Sequence, residues 1–93
     1  MMTTITPQEK RELKSGLHSL KPIVIVGSNG LTDSVLQEID RALEDHELIK
    51  IRLVDEDRDS RDELIVKICK KMRAALIQSI GKVVAVYRKS QKS

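Results

Sequence analysis

The spacing of apolar residues near the start of the chain predicts a first helix over residues 7–20. Leu13, Leu17 and Leu20 recur at the spacing of one helical face. Thr6 and Glu9 have the spacing of a capping box, and a proline between them suits the first helical turn. The sequence therefore indicates where this helix begins more sharply than where it ends.

A strand, a glycine loop and a second helix are predicted next. The β-branched run at residues 23–26 shows no alternation, which is typical of a strand buried on both faces. The tetrapeptide GSNG follows at residues 27–30. Beyond it, apolar residues at helical spacing predict a second helix over residues 32–46, with Thr32 as its N-cap.

The remaining pattern predicts a strand, a helix and a final strand. Apolar and basic residues alternate over 48–54, which places Lys50 and Arg52 on the face away from the core. After a charged loop over 55–63, a third helix is expected from near Ser60 to Ile80, where Gly81 occupies the position of a C′ residue. A last strand is predicted over 82–88, and the tails 1–5 and 89–93 are expected to fray.

The predicted order is α-β-α-β-α-β, which indicates one compact two-layer α/β domain spanning residues 1–93. Strands that are joined by single helices should pair in parallel, through right-handed crossovers. The composition, 40% hydrophobic and 33% charged, is that of an ordinary globular domain.

The composition also narrows the chemistry. A single cysteine, Cys69, excludes an internal disulfide and a zinc site built from cysteines. No apolar run approaches the roughly 18 residues of a membrane span, and the polar start of the chain does not resemble a signal peptide. We therefore expect a cytoplasmic protein that does not act at a membrane.

The net charge of +3 conceals an asymmetry. Residues 64–93 contain eight basic residues and no acidic one, whereas all fourteen acidic residues precede them. Four of the basic residues are expected on the outer face of the third helix: Lys67, Lys70, Lys71 and Arg73. Such a division hints at a polyanionic partner, although many solvated helices show the same pattern.

The strand–GSNG–helix junction is the most informative segment. Its glycines let the backbone turn tightly and approach another molecule, and the helix N-terminus behind it favours an anion. No Lys-Ser/Thr pair follows Gly30, so it is not a P-loop, and two glycines do not make a Rossmann fingerprint. A KH domain also uses GxxG, but between two helices rather than after a strand.

A longer string around this junction resembles the CRM domain, the RNA-binding module of chloroplast splicing factors and of small bacterial ribosome-associated proteins of the YhbY type. The resemblance covers roughly residues 7–88 and is carried by LKP at 20–22, GSNGLT at 27–32 and HELIK at 46–50. It implies RNA binding, association with precursors of the large ribosomal subunit and no enzymatic activity. It also implies that the RNA-contacting loop consists of Gly27, Ser28, Asn29 and Gly30.

The resemblance further implies a fold similar to the C-terminal domain of translation initiation factor 3, with a mixed sheet packed on helices. Family members often continue past the last strand predicted here into a short fourth strand. This chain has little apolar sequence after Tyr87, so the sequence leaves a sheet of three or four strands open.

Several residues are candidates for phosphate contacts beside the loop. If Lys14, Lys21, Lys50 and Arg52 surround it, they form a positive rim, with Thr32 at the helix start. Tyr87 is the only aromatic residue, so base stacking on the sheet cannot be the main mode of binding. Recognition should depend on RNA backbone and shape, and affinity should fall steeply with salt.

Other chemistry receives less support from the sequence. His18 and His46 are expected to cap helices or lie at the surface, and Cys69 to be a core thiol. Asp55, Asp57 and Asp59 mimic the start of a calcium loop, but the glycine and the final glutamate of that motif are missing.

We expect the protein to be a monomer and to bind no metal, cofactor or small-molecule substrate. The open alternatives are a protein–protein adaptor with a basic surface and, less favoured, a nucleotide-handling enzyme.

Overall fold

The computed structural model describes residues 5–54 and 57–90. Its elements are three helices, a short 3-10 turn and four strands. In chain order they are α1 (Pro7–Ser15), the 3-10 turn Leu17–Ser19, β1 (Pro22–Val26), α2 (Asp33–His46), β2 (Leu48–Leu53), α3 (Arg58–Met72), β3 (Ala75–Ile80) and β4 (Val83–Tyr87).

The four strands form one mixed sheet in the order β1-β2-β4-β3. β1 and β2 are parallel, whereas β4 is antiparallel to both β2 and β3. The expected compact α/β domain with a mixed sheet packed on helices is thus confirmed, with four strands. The expectation that the last strand runs parallel to its neighbour is wrong, because a hairpin and not a helix connects to it.

The third helix is shorter than predicted, and the fourth strand comes from its expected C-terminal half. α3 ends at Met72, where Arg73 adopts a left-handed φ of 56° and its N–H donates to the carbonyl of Cys69. Residues 75–80 then form β3 and pair with β4. Gly81, with φ of 57°, belongs to the hairpin turn and is not a helix C′ residue. The extra strand therefore precedes the last strand and does not follow it.

β1 is not buried on both faces, contrary to the prediction. Val24 and Val26 lie in the core, but Ile23 and Ile25 are 50% and 58% exposed. β1 is an edge strand, and α2 and α3 cover only one of its faces. The β-branched run lacks alternation because the exposed face of β1 is also apolar.

Two apolar clusters lie on opposite faces of the sheet. The larger one packs α2 and α3, through residues such as Ile39, Leu43 and Ile68, against the inward side chains of β1, β2 and β4. The smaller one, with Leu17 and Ile77 at its centre, packs α1 and the 3-10 turn against β3 and β4. Helices therefore lie on both faces of the sheet, and the two-layer arrangement predicted from the sequence is wrong, because α1 and the 3-10 turn pack opposite α2 and α3. The short α1 covers only part of its face.

The helix starts predicted from the sequence are confirmed. Thr6 and Glu9 form a complete capping box at α1, although the helix stops at Ser15 and continues only as the 3-10 turn. The hydroxyl of Thr32 accepts a hydrogen bond from the N–H of Val35, at 3.2 Å, and caps α2. This cap holds the glycine loop against a well-formed helix N-terminus.

Candidate nucleic-acid interface

The GSNG segment forms a tight turn between β1 and α2. The N–H of Gly30 donates to the carbonyl of Gly27 at 3.0 Å, and the N–H of Thr32 donates to the carbonyl of Gly30 at 3.1 Å. Gly30 has a φ of 74°, a conformation that residues with a side chain rarely adopt. The turn itself therefore explains why a glycine stands at position 30.

Gly27 has a different explanation. A Cβ atom built on it would meet no other atom within 4 Å, and its backbone does not adopt a left-handed conformation. Neither packing nor strain within the folded chain requires glycine at this position. A side chain at this position would fill only open space outside the loop, so glycine leaves the backbone exposed there.

The loop opens into a cleft of about 380 Å³ against α3. Gly27, Ser28 and Gly30 line it on the side of the loop, together with Val54, which directly follows β2. The opposite wall consists of residues from the first half of α3: Ser60, Glu63, Leu64 and Lys67. The loop is thus one side of a groove whose other side carries a carboxylate and an ammonium group.

Lys67 is the basic residue that sequence reasoning did not place at the loop. It was expected on the outer face of the third helix, with Lys70 and Lys71. It follows Ser60 by seven residues, which is the spacing of one helical face, and this spacing was the available signal. Lys70 and Lys71 lie one turn further along α3 and are exposed, so the lysines extend from the cleft along that helix.

The predicted basic rim does not surround the loop. Pro22 pairs with Lys50 at the start of β1, whereas the loop follows Val26. Five residues of strand separate Pro22 from Gly27, a distance of about 17 Å. The Nζ of Lys50 donates to the carbonyl of Leu20 at 3.0 Å, on the side where β1 begins.

The remaining predicted residues divide between the two ends of the sheet. Lys21 and Lys50 share a concavity of about 390 Å³ with the exposed His46. Lys14 lies on α1, which packs on the far part of the sheet. Of the four predicted basic residues, only Arg52 lies near the loop, since it pairs with Ile25, two residues before Gly27.

Tyr87 and Cys69, the sole aromatic residue and the sole thiol, belong to the packing. Tyr87 packs against the cluster beneath α1, where partial burial, Glu47 and Glu9 raise the pKa of its phenol. Cys69 is half-buried at the edge of the main core, and burial raises the pKa of its thiol. Neither residue is placed to contact a ligand at the loop.

The described residues contain no group of three or more His, Cys, Asp or Glu side chains that could hold a metal ion. Asp55, the first acid of the calcium-like pattern, lies outside the described residues. His18 lies in the middle of the 3-10 turn and His46 is the last residue of α2, and both are exposed. Across residues 5–54 and 57–90, no helix combines the length and the apolar character that crossing a membrane requires.

The chain is similar in sequence to bacterial proteins that are named as RNA-binding proteins. The chain is 50% identical over 88 residues to the probable RNA-binding protein PA4753 of Pseudomonas aeruginosa, covering 95% of this chain and 85% of that protein. It is 41% identical over 92 residues to an RNA-binding protein of Haemophilus influenzae, covering 99% and 93%.

A solved structure and a family model extend this likeness. The solution structure of protein SAV1595 from Staphylococcus aureus matches with a TM-score of 0.82 at 32% identity, covering 96% of this chain and 93% of that chain. The model of the CRS1 / YhbY (CRM) domain matches residues 5–88, the whole of the helix-and-sheet core described above. The chain therefore belongs to the CRS1/YhbY (CRM) domain family.

Proposed function

We propose that this protein binds RNA, associates with precursors of the large ribosomal subunit and assists their assembly without catalysing a reaction. The observation that carries the proposal is the open backbone at Gly27, in a tight turn that leads into the capped N-terminus of α2. Membership of the CRM family and relatives named as RNA-binding proteins support RNA as the partner. In this proposal the protein is a cytoplasmic monomer.

The hydrogen bonds of the turn support a choice of N–H groups for the proposed phosphate contacts. The N–H groups of Gly30, Thr32 and Val35 are engaged within the turn and the cap. In this proposal the phosphate contacts fall to other N–H groups of the loop and of the first turn of α2, such as those of Ser28, Asn29, Asp33 and Ser34. The helix dipole favours an anion at this point.

Lys67 supplies a positive charge in the cleft, with Lys70 and Lys71 further along α3. Asp33 in the first turn of α2 and Glu63 in the cleft oppose a dense negative charge. Because these acids repel phosphates that lie close to them, they favour an RNA that contacts the protein at a few defined phosphates. They disfavour non-specific binding of polyanions to this surface. The remaining basic candidates, Lys14, Lys21 and Lys50, would contact only an RNA that extends well beyond the loop.

Gradient sedimentation of cell extract tests the ribosomal part of the proposal. We expect an epitope-tagged chain to travel with precursors of the large subunit, and to move to the top of the gradient after the exposed RNA is digested with ribonuclease. Recovery only at the top of an undigested gradient would contradict the association with ribosomal particles. Co-sedimentation that survives digestion would favour the alternative of a protein–protein adaptor.

A further inference from the structure

The sheet has a second exposed surface, outside the GSNG loop and its cleft. By the strand register, Ile25 of β1 pairs with Arg52 of β2, Arg52 with Val83 of β4, and Val83 with Ile80 of β3. These four side chains lie side by side across the whole sheet, on the face away from α2 and α3. We call them the open sheet row.

The helices leave Ile25, Arg52 and Ile80 of this row exposed, and Val83 is half-buried. On the face that α1 covers, the packed part of the sheet is the region where Leu17 contacts Ile77 and Ala85. Ile25 is 58% exposed and Ile80 is 65% exposed, and Ile23 on the same edge is 50% exposed. Large aliphatic side chains at this exposure, gathered on one face, mark a surface that binds another molecule.

The charge on this face has one sign. The four strands lie within the described residues and hold no Asp or Glu, and their only charged residues are Lys50 and Arg52. Both lie on the open face, since their neighbours Ile49, Ile51 and Leu53 point into the core. The face therefore complements a partner that is negatively charged and has flat apolar parts.

The row also adjoins the proposed phosphate site. Ile25 precedes Gly27 by two residues, a distance of about 7 Å along the strand. At the far side, Ile80 and Val83 flank the hairpin turn at Gly81, and they line a cleft of about 270 Å³ together with Lys50. An RNA strand with a phosphate at the loop reaches the row within one nucleotide.

We propose that the open sheet row holds unpaired bases of the same RNA that the loop binds by its backbone. The guanidinium plane of Arg52 stacks on one base, and the aliphatic side chains of Ile25, Val83 and Ile80 pack on its neighbours. In this arrangement an arginine between aliphatic residues performs the stacking for which other RNA-binding sheets use aromatic rings. This inference rests on the proposed function, because it takes the RNA at the loop as given.

Two RNA probes test the inference with the full chain by fluorescence anisotropy. One is an RNA stem-loop, and the other is the same stem-loop with a single-stranded extension of about six uridines. We expect the extended probe to bind about tenfold more tightly. The double variant Ile25→Ser/Ile80→Ser should lose most of this gain and keep its affinity for the plain stem-loop, because no charge changes.

A matched control and the loop variant separate the possible outcomes. Val66, 52% exposed on the outside of α3, provides the control Val66→Ser, which should keep the full gain. Asn29→Asp should weaken binding of both probes alike, so a failure of the loop and a failure of the open sheet row are distinguishable. Equal affinity of the wild-type chain for the two probes, or an undiminished gain in the double variant, would overturn the inference.

Two further outcomes would assign the face to a protein instead. One is that the wild-type chain stays with ribosomal particles after ribonuclease digestion, whereas the double variant leaves them although it binds both probes as the wild type does. The other is self-association of the wild-type chain in light scattering that the double variant abolishes. Either result overturns the inference for RNA.

Discussion

Replacement of Asn29 by aspartate is expected to weaken RNA binding on the order of tenfold at low salt. Asn29 is exposed at the tip of the GSNG turn, so the change keeps the shape of the side chain and adds a negative charge where a phosphate is proposed to lie. The loss should shrink as salt is raised, because the repulsion is screened. Fluorescence anisotropy with a structured ribosomal RNA fragment across a salt series measures it.

The chain offers a matched control for this variant. Gln8 is exposed in the first turn of α1, and Gln8→Glu makes the same amide-to-carboxylate change at the same cost in net charge. Its RNA affinity should stay within about twofold of the wild type, as expected when only the distant field changes. Equal losses for the two variants would show that net charge and not the loop controls binding.

Gly27→Ala provides the uncharged counterpart. The added methyl group meets no atom of the folded chain, so the free energy of unfolding should hardly change while RNA affinity falls. By contrast, Gly30→Ala would strain a backbone with φ of 74° and confound folding with binding. An unchanged affinity of folded Gly27→Ala would remove the argument that the backbone approaches RNA there.

Replacement of Arg88 by alanine is expected to lower the free energy of unfolding by about 2 kcal/mol. Its guanidinium donates to the carbonyls of Met72 and Asp40, at 3.0 and 3.1 Å. It also pairs with the carboxylates of Asp40 and Glu44, at 2.9 and 3.0 Å. The side chain is 12% exposed, so its removal leaves the carbonyl of Met72 without this donor and takes one cation away from two carboxylates.

Urea denaturation of Arg88→Ala measures this loss, with Arg41→Ala as the control. Arg41 follows Asp40 on α2 but is exposed, so its removal should change stability by no more than about 0.5 kcal/mol. At a temperature where Arg88→Ala is fully folded, its RNA affinity should match that of the wild type. A loss no larger than that of Arg41→Ala would mean that the network does not stabilise the packing of β4 against α2 and α3.

The elements with strong local signals could be predicted from the sequence. The capping box of Thr6 and Glu9 located the start of α1, and Thr32 located the start of α2. Strict alternation placed Ile49 and Ile51 in the core and Lys50 outside it. In each of these cases residues close in sequence determine the local structure, so a single sequence contains the information.

The last third of the chain depended on contacts that are distant in sequence. Met72, Leu76 and Ile80 have helical spacing, but pairing with β4 draws residues 75–80 into a strand. The helix ends at Arg73, which adopts a left-handed conformation without the usual glycine. Gly81 is equally compatible with a helix end and with a hairpin, and only the pairing of β3 with β4 decides between them.

The candidate site shows the same division. The loop and its helix N-terminus are contiguous in sequence, so their geometry followed from local pattern. Which basic residues lie near them depends on strand length and helix docking. Those factors separate Lys21 and Lys50 from the loop and bring Lys67 of α3 to the cleft.

In the proposed function, RNA binds at the end of the sheet where the GSNG turn meets α2 and α3. The most direct test is an NMR titration of the ¹⁵N-labelled chain with a structured ribosomal RNA fragment, following every backbone amide. We predict the largest shift changes at Gly27, Ser28 and Asn29, at the first turn of α2 and at Lys67. Changes confined to α1, around Lys14, with the loop amides unmoved, would contradict the account.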